Sequence, residues 1–168
     1  MVASETRRPA DPKAVEAGKR FLSATLGRMG LKADVEVRDH EGDTVLAVVG
    51  ADAAQVVGKK GATLDALQLL VNRVASKEVE GDRAGLIVDA DGYRARREKD
   101  LTTMAERLGK KCVTEGKVIV MDPMPPRERR VVHMALARFT GVTTRSEGEG
   151  EERRIQIIPM PPPAAPAR

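Results

Sequence analysis

The sequence predicts an α+β protein made of two small units joined by a charged helix, and three observations lead there. Apolar residues recur with a period near 3.6 in some segments and alternate in others, so helices and strands are both present. The stretch 91–111 carries Arg94, Arg96, Arg97, Lys99, Arg107, Lys110 and Lys111, and it separates two regions that each contain both periods. The length, 168 residues, suits one ordinary domain or two small ones. Hydrophobic residues make up 41% of the chain but aromatics only 2%, so the cores must be aliphatic. That scarcity also excludes a nucleic-acid platform of stacked rings. A net charge of +4 permits a polyanionic partner without requiring one.

Residues 1–10 are polar and aperiodic and read as a disordered tail. Asp11-Pro12 is a helix start, with Asp as N-cap and Pro at the first helical position. Ala14, Ala17, Phe21, Thr25 and Met29 follow at helical spacing, and Gly30 closes the helix. Ala33, Val35 and Val37 then alternate with Asp34, Glu36 and Arg38, as in a half-buried strand. A turn over Asp39–Asp43, with His40 as a solvated loop residue, leads into an apolar strand from Thr44 to Val49. A short segment, Asp52 to Val57, precedes Gly58-Lys59-Lys60-Gly61. Leu64, Leu67, Val71 and Val74 give an amphipathic helix, and Leu86-Ile87-Val88 a short buried strand.

The charged helix 91–111 reads as a connector. Beyond it, Val118-Ile119-Val120 is a strand and Asp122–Pro126 a stop and restart. Arg127 to Phe139 is a helix with Val132, Ala135, Leu136 and Phe139 inward, and strands at Thr143–Ser146 and Arg154–Ile158 flank a Gly148-Glu149-Gly150 turn. Residues 160–168 are rich in Pro and Ala and read as an extended tail.

Gly58-Lys59-Lys60-Gly61 opens a helix, where backbone N–H groups and the positive end of the helix dipole favour an anion. Glycines let a phosphate chain approach closely, and two lysines add charge without reading base identity. Val56, Val57 and Leu64 are placed to wall a groove for bases. Neither a G-x-x-x-x-G-K-[ST] phosphate loop nor a G-x-G-x-x-G fingerprint is present, so the alternative is a plain turn with solvated lysines.

In the second unit Arg129 and His133 share a helix face, about 40° apart, at the margin of the apolar stripe. They suit a phosphate, with Arg127 and Arg130 extending the charge. Taken alone, the pair is better read as core-edge packing of His133, with Arg129 in ion pairs with Glu128 or a strand residue. Tyr93 and Cys112 read as packing residues, and Glu147, Glu149, Glu151 and Glu152 as a solubilising hairpin tip. One cysteine and two distant histidines give no zinc spacing, so no metal or cofactor is expected. No apolar run reaches the ~18 residues of a membrane span, and no signal-peptide core follows Arg7-Arg8. A cytoplasmic protein without membrane insertion is expected.

The string Val57-Gly58-Lys59-Lys60-Gly61-Ala62-Thr63-Leu64 resembles the K-homology (KH) signature, and its helix–strand–strand–helix–helix–strand setting resembles the type II arrangement. Met124-Pro125-Pro126-Arg127-Glu128-Arg129-Arg130-Val131-Val132-His133, followed by Thr144-Arg145-Ser146 and Arg153-Arg154, resembles the Arg-x-x-x-His domain. A KH domain over 11–90, a helix over 91–111 and an Arg-x-x-x-His domain over 112–159 together resemble the bacterial Jag family, also called SpoIIIJ-associated or KhpB proteins. The resemblance implies a non-enzymatic binder of single-stranded RNA, or single-stranded DNA, acting as an RNA chaperone or post-transcriptional regulator. It implies RNA contacts from Gly58, Lys59, Lys60 and Gly61, and from Arg127, Arg129, Arg130, His133, Thr144, Ser146 and Arg154. It also implies a small single-KH protein partner and a link to cell elongation and division. Longer family members carry an N-terminal Jag domain that this sequence does not match, so roles resting on that domain are not expected of it. The rival functions are a protein-binding adaptor and, with no paired carboxylates or nucleophile–base set to support it, a nuclease.

Overall fold

A computed structural model describes residues 10–40, 42–79 and 85–160. Residues 1–9 and 161–168 of the expected tails, and Glu41 of the expected turn, lie outside the described residues. The chain is α+β and divides into two compact units, one up to Arg94 and one from Ala95.

The first unit starts with α1, Pro12–Arg28, capped by the Asp11 side chain on the Lys13 N–H at 2.8 Å. Its C-terminus is a Schellman turn: Gly30, at φ 75°, donates to Gly27 O, and Leu31 donates to Leu26 O at 3.1 Å. The buried stripe is Ala14, Ala17, Gly18, Leu22 and Leu26: Ala14 and Ala17 are as expected, and beyond them the stripe runs one position later, through Leu22 and Leu26 rather than Phe21 and Thr25. Thr25 is half-buried, and Met29, beyond the last turn, is exposed. Gly18 lets α1 come close to the sheet, since a Cβ there would stand 2.6 Å from Leu86 Cδ1.

Strands β1, Asp34–His40, and β2, Asp43–Val49, pair antiparallel, and β3, Ile87–Ala90, adds parallel to β2 in the order β1-β2-β3. His40 is therefore the exposed end of β1, paired with Asp43, rather than a loop residue. On the edge strand β1 only Val35 is buried. Val37, expected inside, is exposed although its register partner Leu46 is buried. Between β2 and helix α2, Ala62–Ala75, run two short 3-10 turns, Ala53–Val56 and Lys59–Gly61. The core joins Leu22, Leu26, Leu46, Val48, Val56, Leu64, Val71, Leu86 and Val88, all aliphatic.

The free edge of β3 is closed by side chains. Gln68 donates to Leu86 O at 2.6 Å and accepts from Val88 N at 2.7 Å. Asn72 accepts from Leu86 N at 3.0 Å and donates to Leu86 O at 2.9 Å. Arg94 Nε donates to Val88 O at 2.8 Å. The outward N–H and C=O groups of Leu86 and Val88 thus find partners that a neighbouring strand would otherwise supply.

Helix α3, Tyr93–Glu115, is longer than the expected connector, and its inner face is more than a connector's. Leu101, Ala105 and Cys112 join the second core with Met121, Met124, Val132, Leu136, Val142, Ile155 and Ile157. Burial pushes the Cys112 thiol above its ordinary pKa of 9.0. The rest of this unit is β4, Ile119–Val120, α4, Pro126–Leu136, β5, Val142–Glu147, and β6, Arg154–Pro159, with sheet order β4-β6-β5. Ile155 and Ile157 of β6 and Val142 of β5 are buried on one face of the sheet, together with Val132 and Leu136 of α4.

Candidate nucleic-acid interface

In the first unit the glycine loop is set by three residues at positive φ, of which Lys60 and Gly61 are left-handed. Gly58 stands at φ 70° and ψ −172°, Lys60 at φ 52° and ψ 29°, and Gly61 at φ 84° and ψ 5°. Gly61 is the N-cap of α2. The loop closes on itself through Gly61 N to Gly58 O at 3.4 Å and Leu64 N to Val57 O at 3.3 Å. A Cβ on Gly58 would collide with the Thr63 side chain, and one on Gly61 would stand 2.9 Å from Tyr93 Cε1. Both positions therefore need glycine for space as well as for φ. Lys60 holds a left-handed conformation at a cost of about 1–2 kcal/mol.

Lys59 and Lys60 are exposed, so the loop presents two cations at the N-terminus of α2. Val56 and Leu64, expected as groove walls, are instead fully buried in the core; only Val57 is half-exposed beside the loop. Tyr93 packs as expected, with its ring edge against Gly61. Next to it, Arg94 ties α2 to β3. Its Nη1 donates to Asp65 at 2.9 Å, its Nε bonds Val88 O, and its backbone N–H is capped by Asp89 at 3.1 Å. Arg97 makes a two-bond pair with Glu128, at 2.7 and 2.9 Å. Both arginines are thus held in ion pairs.

In the second unit Arg129 and His133 are gripped by β5. Arg129 Nη1 donates to Ser146 Oγ at 2.7 Å and its Nε to Met124 O at 3.2 Å. His133 Nδ1 lies 2.6 Å from Thr144 Oγ1. The match is geometric: four helical residues rise about 6 Å and two strand residues about 6.7 Å. An i,i+4 pair on α4 therefore meets an i,i+2 pair on β5. Glu128, offered as a partner for Arg129, goes to Arg97 instead. Arg127 and Arg130 are exposed on the polar side of α4.

Arg154 is not brought to this group. It pairs with Glu147 in the β5–β6 register, on the face opposite Ile155, and contacts Glu152 at 3.7 Å. Its neighbour Arg153, part of the resembling string but not of the expected RNA contacts, donates from Nε to Ser146 Oγ at 2.9 Å. The signal was present in the alternation: if Ile155 and Ile157 face inward, Arg153 falls on their side and Arg154 on the other. Among the described residues no group of three or more His, Cys, Asp or Glu side chains is placed to hold a metal, and no helix is long and apolar enough to cross a membrane.

Comparison with known proteins agrees with this division. Residues 19–88 match the KhpA/KhpB KH-domain family, and residues 99–159 match the R-3-H (Arg-x-x-x-His) domain family. A protein of Clostridium symbiosum named RNA-binding protein KhpB is 32% identical over 159 residues, 94% of this chain and 69% of that protein. The chain belongs to the KhpB family. A Bacillus subtilis protein of the same name is 31% identical over 145 residues, covering 85% of this chain and 69% of its own length. The Lactiplantibacillus plantarum member is 32% identical over 151 residues, of which this chain spans 47% of the relative's length. In this family member the KH match ends at Val88, the strand whose free edge Gln68, Asn72 and Arg94 close.

Proposed function

We propose that this KhpB-family chain is a non-enzymatic, single-stranded RNA-binding protein with one clamp in each unit. The observation that carries the reading is the Gly58–Gly61 loop. Backbone conformations, close approach of Thr63 and Tyr93, and two exposed lysines all converge on one helix N-terminus. Such a loop holds a sugar–phosphate backbone rather than a base edge, so it favours single strands over sequences. In the second clamp Arg129 and His133 face the strand, with Thr144 and Ser146 supplying hydroxyls and Arg127 and Arg130 a flanking positive field. Two weak clamps on one chain raise each other's effective concentration. The family assignment supports a cytoplasmic role as RNA chaperone or post-transcriptional regulator. It also supports a small single-KH protein as partner and an influence on cell elongation and division.

Fluorescence anisotropy with short single-stranded RNA tests this. A Gly58→Asp/Gly61→Asp variant should lose at least about tenfold in affinity, since it adds two anions where phosphate would lie. Duplex RNA should compete poorly. Wild type that binds no RNA at low salt would sink the reading and leave the protein-binding adaptor.

A further inference from the structure

We propose that Arg153 and Arg129 form a two-guanidinium seat for one internal phosphate of the RNA strand, with the Ser146 hydroxyl between them. This rests on the RNA-binding reading above and deepens it. Arg129 Nη1 and Arg153 Nε donate to the same Ser146 Oγ, at 2.7 and 2.9 Å. Two cations are thus held within reach of one neutral oxygen. Like charges at that spacing repel, and a guanidinium at a protein surface is ordinarily offset by a carboxylate.

Three carboxylates of this unit have other partners. Glu128 takes Arg97, Glu147 takes Gln156, and Glu152 lies by Arg154. Among the described residues, Arg129 and Arg153 form no ion pair. What holds them is neutral: Ser146 for both, Met124 O for Arg129, and for Arg153 its own backbone, which donates to Gly150 O and accepts from Met124 N.

A phosphodiester oxygen is the group that would neutralise both arginines, and the donors to bind it are present. Each guanidinium has five N–H donors, of which the bonds above use two on Arg129 and one on Arg153. Ser146 Oγ accepts two bonds and keeps its own hydrogen to donate. The exposed Glu149 and Glu151 on the same hairpin oppose an anion, so the seat's net pull depends on both arginines.

The test compares three variants of the full chain on a 5′-hydroxyl single-stranded RNA across a salt series. Arg153→Gln should weaken binding about tenfold and lower the slope of log affinity against log salt by about 0.7, one phosphate contact on a single strand. Arg153→Lys, which keeps the charge but loses the fork, should retain most of the slope and part of the affinity. Arg145→Gln removes the same charge from the outward face of β5 and should change affinity by no more than about twofold. All three should melt like wild type, because both arginines replaced are exposed. Equal losses in Arg153→Gln and Arg145→Gln would overturn the seat as general attraction, and so would an Arg153→Gln that binds like wild type. A wild type that fails to bind overturns the RNA reading and the seat with it, which is a different result from a binding wild type and a silent Arg153.

Discussion

The two units use the same device for different ends. In each, polar side chains one helical turn apart grip alternate residues of a neighbouring strand. Gln68 and Asn72 hold Leu86 and Val88, while Arg129 and His133 hold Ser146 and Thr144. The first grip is closed. Uncharged amides meet backbone N–H and C=O groups, nearly every donor and acceptor is consumed, and the edge of β3 is sealed against another strand. The second grip is open. A guanidinium and an imidazole meet hydroxyls on an edge strand, and most of the guanidinium's donors stay available. One geometry closes a sheet edge and the other leaves donors unspent; the difference is whether the side chains bring more hydrogen-bonding capacity than the strand can absorb.

Breaking the closed grip should have the largest effect, and on stability alone. Gln68→Ala/Asn72→Ala leaves both N–H groups and the Leu86 C=O without their partners. It should cost about 3 kcal/mol, read as a lower urea midpoint. RNA affinity of the protein that remains folded should move by no more than about twofold, because neither amide faces the loop lysines. Breaking the open grip should do the reverse. Arg129→Ala should weaken RNA binding about tenfold, near 1.4 kcal/mol, with less than about 1 kcal/mol lost from unfolding. A variant of either grip that moved both quantities equally would erase the distinction.

The smallest effect concerns Cys112, whose thiol lies beneath α3 with Lys117 O at 3.2 Å. Burial raises its folded pKa, so between the ordinary value of 9.0 and the folded value the unfolded chain binds fewer protons than the folded one. Its contribution to stability is complete below pH 9.0 and is lost as pH rises toward the folded value. Denaturation midpoints compared with Cys112→Ala should diverge only in that alkaline window; parallel curves would mean that the thiol is not desolvated.

Most of the fold was legible in the sequence because its signals are local. Asp11-Pro12 and Gly30 mark the ends of α1 by capping chemistry, and Leu64, Leu67 and Val71 mark the buried face of α2. The misses came where a neighbour decides. Met29 and Val37 are apolar and at the expected spacing, yet both are exposed. Helix α3 looked like a connector because its charges outnumber Leu101, Ala105 and Cys112, which nonetheless find a core. The loop glycines and the Arg129–His133 spacing were readable, since each is fixed within one element. Arg153 and Arg154 depend on strand register, where a shift of one residue exchanges the faces. Gln68 and Asn72 look like any polar positions of a helix until β3 is placed beside them.

The central claim is that both units bind a phosphate backbone, and the salt dependence of wild-type binding to single-stranded RNA tests it most directly. Log affinity should fall linearly with log salt, at a slope near −0.7 for each phosphate neutralised. With Lys59, Lys60 and the Arg129 seat engaged, the total should come to about −2. The slope should shrink both when Lys59 and Lys60 become Gln and when Arg129 becomes Ala. A flat dependence, or a slope that only one of the two units can change, would contradict it.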